Sequence, residues 1–190
     1  MANLSYIDTE KSIAAGRLSI NRSGLDKFEK ITDTIVWSTL CIAIMFYPTF
    51  AYFHVSINSS NDRAVAFVLF PLIILFGLFG LYRKLTENKL IYIDTSLPRH
   101  KNKDFLLQFL KQNGYEVFRE NKEVVIVNVE ESLSFNNIWT KTITFIIDDR
   151  RIYFTMVKNY PKINPPVFFS HWSLKGDLKK YFSEKYNILV

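Results

Sequence analysis

The run from Ala64 to Tyr82, AVAFVLFPLIILFGLFGLY, contains no charged residue. Its length is close to the ~20 residues a helix needs to cross a hydrocarbon core. A soluble core helix would show a polar stripe at the 3.6-residue period, and this run has none. A second apolar run, Thr34 to Phe53, precedes it across the short polar link His54 to Arg63. Together they predict a transmembrane hairpin over residues 34–82, with spans at 34–53 and 64–82.

The first span is the more polar, TIVWSTLCIAIMFYPTFAYF. In lipid every backbone polar group needs a partner inside the protein, so hydroxyls and a proline are best placed against other helices or water. Ser38, Thr39, Cys41, Pro48 and Thr49 are therefore the candidates for a pore or helix interface. The plainer alternative is a hydroxyl that bonds back to its own helix's carbonyls. Pro48 removes a backbone donor and predicts a kink near the outer end of the span. Cys41 is the only cysteine, so no intrachain disulfide forms, and a small buried apolar role suits it. Gly77 and Gly80 are three apart rather than the four of a GxxxG motif, a weak signal for close helix approach.

Arg17, Arg22, Lys27 and Lys30 precede the first span and Arg83, Lys84 and Lys89 follow the second, while the link holds only Arg63. By the positive-inside rule both termini are cytoplasmic. The first apolar run begins too late and runs too long for a cleaved signal peptide, so the expectation is a retained, multi-pass inner (plasma) membrane protein.

After the spans, residues 83–101 read as a neck, with an apolar patch at Leu90 to Ile93. Residues 102–190 read as a small cytoplasmic α+β domain: a helix, four antiparallel strands and a closing helix. The first helix covers Asn102 to Asn113 and stops at Gly114. Tyr115–Arg119 and Glu123–Val129 form a hairpin, and Glu130–Asn137 a loop. Ile138–Ile147 and Arg151–Val157 are strands joined at Asp148–Arg150, and a helix over about Trp172–Tyr186 closes the domain. Asn159 to Pro166, with three prolines, cannot continue a sheet interior. Residues 1–33 alternate apolar groups with charge, which fits two short amphipathic helices at the inner membrane surface or a frayed leader.

Chemical motifs are scarce. His54, His100 and His171 have no carboxylate or cysteine at ligand spacing, so no metal or cofactor site is expected. Neither a phosphate-binding glycine loop nor a nucleophile elbow is present. The pairs Glu130/Glu131 and Asp148/Asp149 point apart as sequence neighbours and read as turn charges rather than an acid/base dyad. An enzyme is the weakest reading.

The net charge of +6 resides in residues 83–190, because the preceding segments balance. Part of that excess suits anionic headgroups. Arg150, Arg151, Lys158, Lys175 and Lys179, interleaved with aromatic residues, are candidate ligand-binding positions for a nucleotide or a single-stranded nucleic acid. A solvated basic face is the alternative.

Two spans are too few to enclose a pore, so self-association into a homo-oligomer completes the picture. In its order of parts alone, the chain resembles small two-helix membrane effectors of bacterial anti-phage defence. That resemblance implies a cytoplasmic module that recognises a signal and spans that compromise the membrane, and it assigns no residue. The expectation is an effector or channel-like protein whose cytoplasmic domain senses an anionic ligand or a partner and alters the membrane bundle. The rival is a membrane-anchored immunity or accessory protein whose soluble domain binds another protein.

Overall fold

The computed structural model describes residues 7–21, 24–54, 60–133, 137–159, 167 and 169–186. Among them are five helices and one five-stranded antiparallel sheet. The chain divides into two compact units, residues 24–86 and the remainder.

The first unit is a pair of helices: α2 spans Gly24–His54 and α3 spans Ser60–Leu85. Both contain stretches long and apolar enough to cross a membrane, Phe28–Tyr47 and Phe67–Leu85. The two run antiparallel, as contacts at two levels show. Lys84 Nζ donates to Asp33 Oδ2, and midway along the pair Gly77 lies against Cys41 and Met45. A Cβ on Gly77 would come within 2.5 Å of Met45 Cγ and 3.2 Å of the Cys41 carbonyl oxygen. The close approach that the glycine spacing signalled only weakly is therefore present at Gly77. Outside this seam the helices leave large apolar side chains uncovered, among them Ile35, Leu40, Phe46, Phe67, Leu72 and Leu75.

The second unit is the sheet domain. Its strands are β1 (Ile91–Asp94), β2 (Val117–Glu120), β3 (Val124–Leu133), β4 (Asn137–Asp148) and β5 (Arg151–Asn159), in the order β1-β5-β4-β3-β2. Helices α4 (Arg99–Gln112) and α5 (Ser170–Tyr186) pack on one face. Strand alternation sends Val125, Val127, Ile143, Phe145, Ile147, Ile152, Phe154 and Met156 to that face. There they meet Leu106, Phe109 and Leu110 of α4 and Leu174, Leu178 and Phe182 of α5. Phe145, Phe154 and Phe182 are fully buried, each contributing roughly 1.5–3 kcal/mol of hydrophobic stabilisation.

Three sequence expectations change here. The sheet has five strands, not four, because Ile91–Asp94, read as neck, pairs with β5 from Ile91↔Phe154 to Asp94↔Arg151. Burial of Ile93 in the core fixes it there. The expected loop at 130–137 is largely strand: β3 and β4 stay paired out to Leu133↔Asn137, since a backbone ladder continues past the end of the apolar core.

The third change concerns the N-terminal segment. Among the described residues before α2 there is one helix, α1 (Thr9–Ala15), followed by a strap that returns to Ile20, and both lie on the sheet domain. Asp8 caps α1 through its side chain, and Gly16, at φ 61°, ends it in the left-handed region that glycine adopts without strain. Ile7, Ile13 and Leu18 pack on Leu90, Ile146 and Tyr153, which cover the second face of the sheet. Ser12 is fully buried: its Oγ donates to the Asp8 carbonyl and accepts from Ser19 N. α2 itself begins at Gly24, within this segment, and continues through the first apolar run.

A candidate ligand-binding edge

β1 is an edge strand, and its alternation turns Ile91 and Ile93 toward the helix-covered core and Tyr92 and Asp94 away from it. Tyr92 is 44% exposed, with Tyr153 of β5 beside it at a ring-centroid distance of 5.8 Å. Two cations gather on the Tyr92 ring. The Arg151 guanidinium lies 5.0 Å from its centroid and Lys175 Nζ, from α5, lies 5.9 Å away. The ring attracts each of them through its quadrupole.

Arg151 also donates from Nε to Asp94 Oδ1 at 2.7 Å. Hydrogen bonding to Tyr153 and Asp94 pushes its guanidinium further up from an already high range. The Arg151–Asp94 pair is solvent-exposed on both sides, and such pairs are worth only about 0–1 kcal/mol. An incoming anion can therefore replace the carboxylate at small cost.

The five basic residues singled out by sequence divide. Arg151 and Lys175 meet on Tyr92. Lys179 follows Lys175 by one turn of α5, on the same side of the helix. Arg150 occupies the β4–β5 turn at φ 66°, where its backbone is engaged: Arg150 N donates to Leu97 O and its carbonyl accepts from Thr95 N. Its side chain is exposed. Lys158 does not join them. It pairs in register with Lys141, seven residues along β5 from Arg151, a distance of about 23 Å at the rise of a strand. Tyr92 and Asp94 are the members that sequence reasoning missed. The alternating run IYID was their signal.

Beside this edge a polar network braces the β4–β5 turn. Arg99 donates from Nη1 to Glu123 Oε1 and from Nη2 to Asp148 Oδ1, and its backbone N–H donates to Asp149 Oδ1. Partial burial opposes the Arg99 charge, but Asp148 and Glu123 outweigh it and hold the guanidinium above its ordinary value. Thr9 of α1 donates to the other Glu123 oxygen at 2.7 Å. Asp148 and Asp149 thus serve the turn. Glu130 and Glu131 side chains lie outside the described residues.

His171 is buried on α5, and its Nε2 accepts the Met156 N–H beyond the end of β1 pairing. His100 is exposed on α4. Among the described residues no three His, Cys, Asp or Glu side chains cluster as metal ligands.

Of the residues assigned to a pore or helix interface, Cys41 is buried against α3, Ser38 is half-buried and Thr39 exposed. Pro48 and Thr49 fall within α2, with side chains outside the described residues. Beside Cys41 the seam includes Gly77, Met45 and the Lys84–Asp33 pair, in which the Lys84 side chain has no exposed surface. The chain matches no protein-family model, and no curated protein is found to be similar to it.

Proposed function

We propose that this is a self-associating inner-membrane effector. Its two apolar helices span the bilayer with both termini cytoplasmic, and its sheet domain senses an anionic ligand. The observation that carries this reading is the meeting of Arg151 and Lys175 on Tyr92 at an edge strand. Two cations held on one ring suit a phosphate-bearing ligand, and the exposed ion pair of Arg151 with Asp94 is weak enough for an anion to displace. The apolar surface that the helix pair leaves uncovered fits contact with lipid, and self-association is expected because two spans are too few to enclose a pore.

Protein docking without channel activity is the second reading. Phe169 and Trp172 favour it: their rings lie 5.9 Å apart and both are strongly exposed, and aromatic pairs of this kind anchor interfaces.

Native mass measurement in nanodiscs, together with accessibility of a tag at each terminus in intact cells, tests the first reading. A defined oligomer with both tags shielded from outside supports it. A monomer, or a tag reached from outside, contradicts it. A second protein that co-purifies and is lost on Trp172→Ala moves the assignment to the docking module.

A further inference from the structure

We infer that the short backbone clip between Gly16–Leu18 and Asn88–Leu90 regulates the proposed effector by carrying the state of the Tyr92 edge to both apolar helices. This rests on the function proposed above.

The clip consists of two hydrogen bonds outside the main ladder. Leu18 N donates to Asn88 O at 2.8 Å and Leu90 N donates to Gly16 O at 2.9 Å, with Arg17 opposite Lys89. Its two strands are the two connections of the sheet domain to the helix pair. One leaves α3 at Leu85, is caught at Glu87 O by Thr155 Oγ1 at 2.8 Å, and becomes β1 at Ile91. The other is the strap, which leads on to α2 at Gly24.

The clip therefore lies next to the candidate ligand-binding edge in the chain. Tyr92 follows the donor Leu90 by two residues. The helix α1 that precedes the strap is also held, through Thr9, whose partner Glu123 is bound by Arg99, and Arg99 binds Asp148 beside the turn that carries Arg150 and Arg151. Any displacement of β1 that accompanies an anion at Tyr92 acts directly on Leu90, and through its bond to Gly16 on the strap. A ligand shifts this equilibrium only as far as it prefers one state of the clip.

Cys41, the only cysteine and buried in the helix seam, is the built-in reporter. The test uses the full chain in nanodiscs and measures the maleimide labelling rate of Cys41 by peptide-resolved mass spectrometry. Leu18→Pro removes one clip donor and should speed labelling by about fivefold or more, the low end of ordinary coupling between sites. Tyr92→Ala should change the rate in the same direction. A companion variant, Arg17→Cys with Lys89→Cys, places thiols at a non-hydrogen-bonded pair, where Cα atoms are about 4.5 Å apart, inside the range a disulfide bridges. In the oxidised form Tyr92→Ala should no longer alter the Cys41 rate, which keeps the inference testable even if Leu18→Pro fails to fold.

Three results overturn it: an unaltered rate in Leu18→Pro when amide exchange confirms an open clip, no effect of Tyr92→Ala in the unlocked protein, or an equal effect in the locked one. The readout needs neither ligand nor flux. Lost coupling with ligand-dependent flux intact would refute the clip alone, and intact coupling in a protein that never conducts would refute the proposed function alone.

Discussion

Gly77 is the residue whose substitution has the most definite consequence. A Cβ there meets a flexible methionine side chain and a fixed backbone carbonyl. Met45 can move, but the Cys41 carbonyl cannot without shifting α2. Gly77→Leu should therefore destabilise the helix pair by about 1–3 kcal/mol, the usual cost of overpacking, read as a lower unfolding midpoint in detergent. An unchanged midpoint would mean the seam is looser than described. At the end of the same seam, Lys84→Ala removes the cation from Asp33. Breaking a buried pair costs about 3–5 kcal/mol, whereas replacing both partners is far less harmful. Lys84→Met with Asp33→Asn should thus be more stable than Lys84→Ala alone in thermal unfolding. The reverse order would mean that the pair contributes little.

At the scale of elements, what sequence could reveal depended on how local the determining contacts are. β5 was legible because Ile152, Phe154 and Met156 alternate against Tyr153 and Thr155, and alternation alone predicts a half-buried strand. β1 was not, because four residues beside the second span look like a neck until Ile93 is seen in the core. The strap was hidden for a similar reason. Ile7, Ile13 and Leu18 contact Leu90, Ile146 and Tyr153, which are remote in sequence. The Tyr92 edge likewise draws Arg151 and Lys175 from separate elements, so its cations were named and its ring was not. The strap makes its own prediction. Ser12→Ala deprives the Ser19 N–H of its buried acceptor, at about 1–3 kcal/mol. Amide exchange should quicken across residues 8–20 while the β4–β5 ladder keeps its protection. Equal loss in both would mean that strap and sheet open as one unit.

At the scale of the whole molecule, the two units have opposite surfaces. The helix pair presents apolar side chains to its surroundings, and the sheet domain buries its apolar face under α4 and α5 and part of its second face under α1 and the strap. Composition and run length made this division legible, since an uncharged run of this length needs no tertiary information to identify. The clip within the sheet unit was not legible, because backbone bonds such as Leu18 N to Asn88 O carry no side-chain signature. The central claim is that an anion at the Tyr92 edge alters a membrane bundle. Its most direct measurement is ion flux from liposomes reconstituted with the purified chain. The anionic small-molecule fraction of a cytosolic extract is applied to the sheet-domain side, with wild type compared to Arg151→Glu with Lys175→Glu. Wild type should show extract-dependent flux and the variant should lose it, while both proteins keep the same oligomeric mass. Flux that is absent from both, or equal in both, would contradict it.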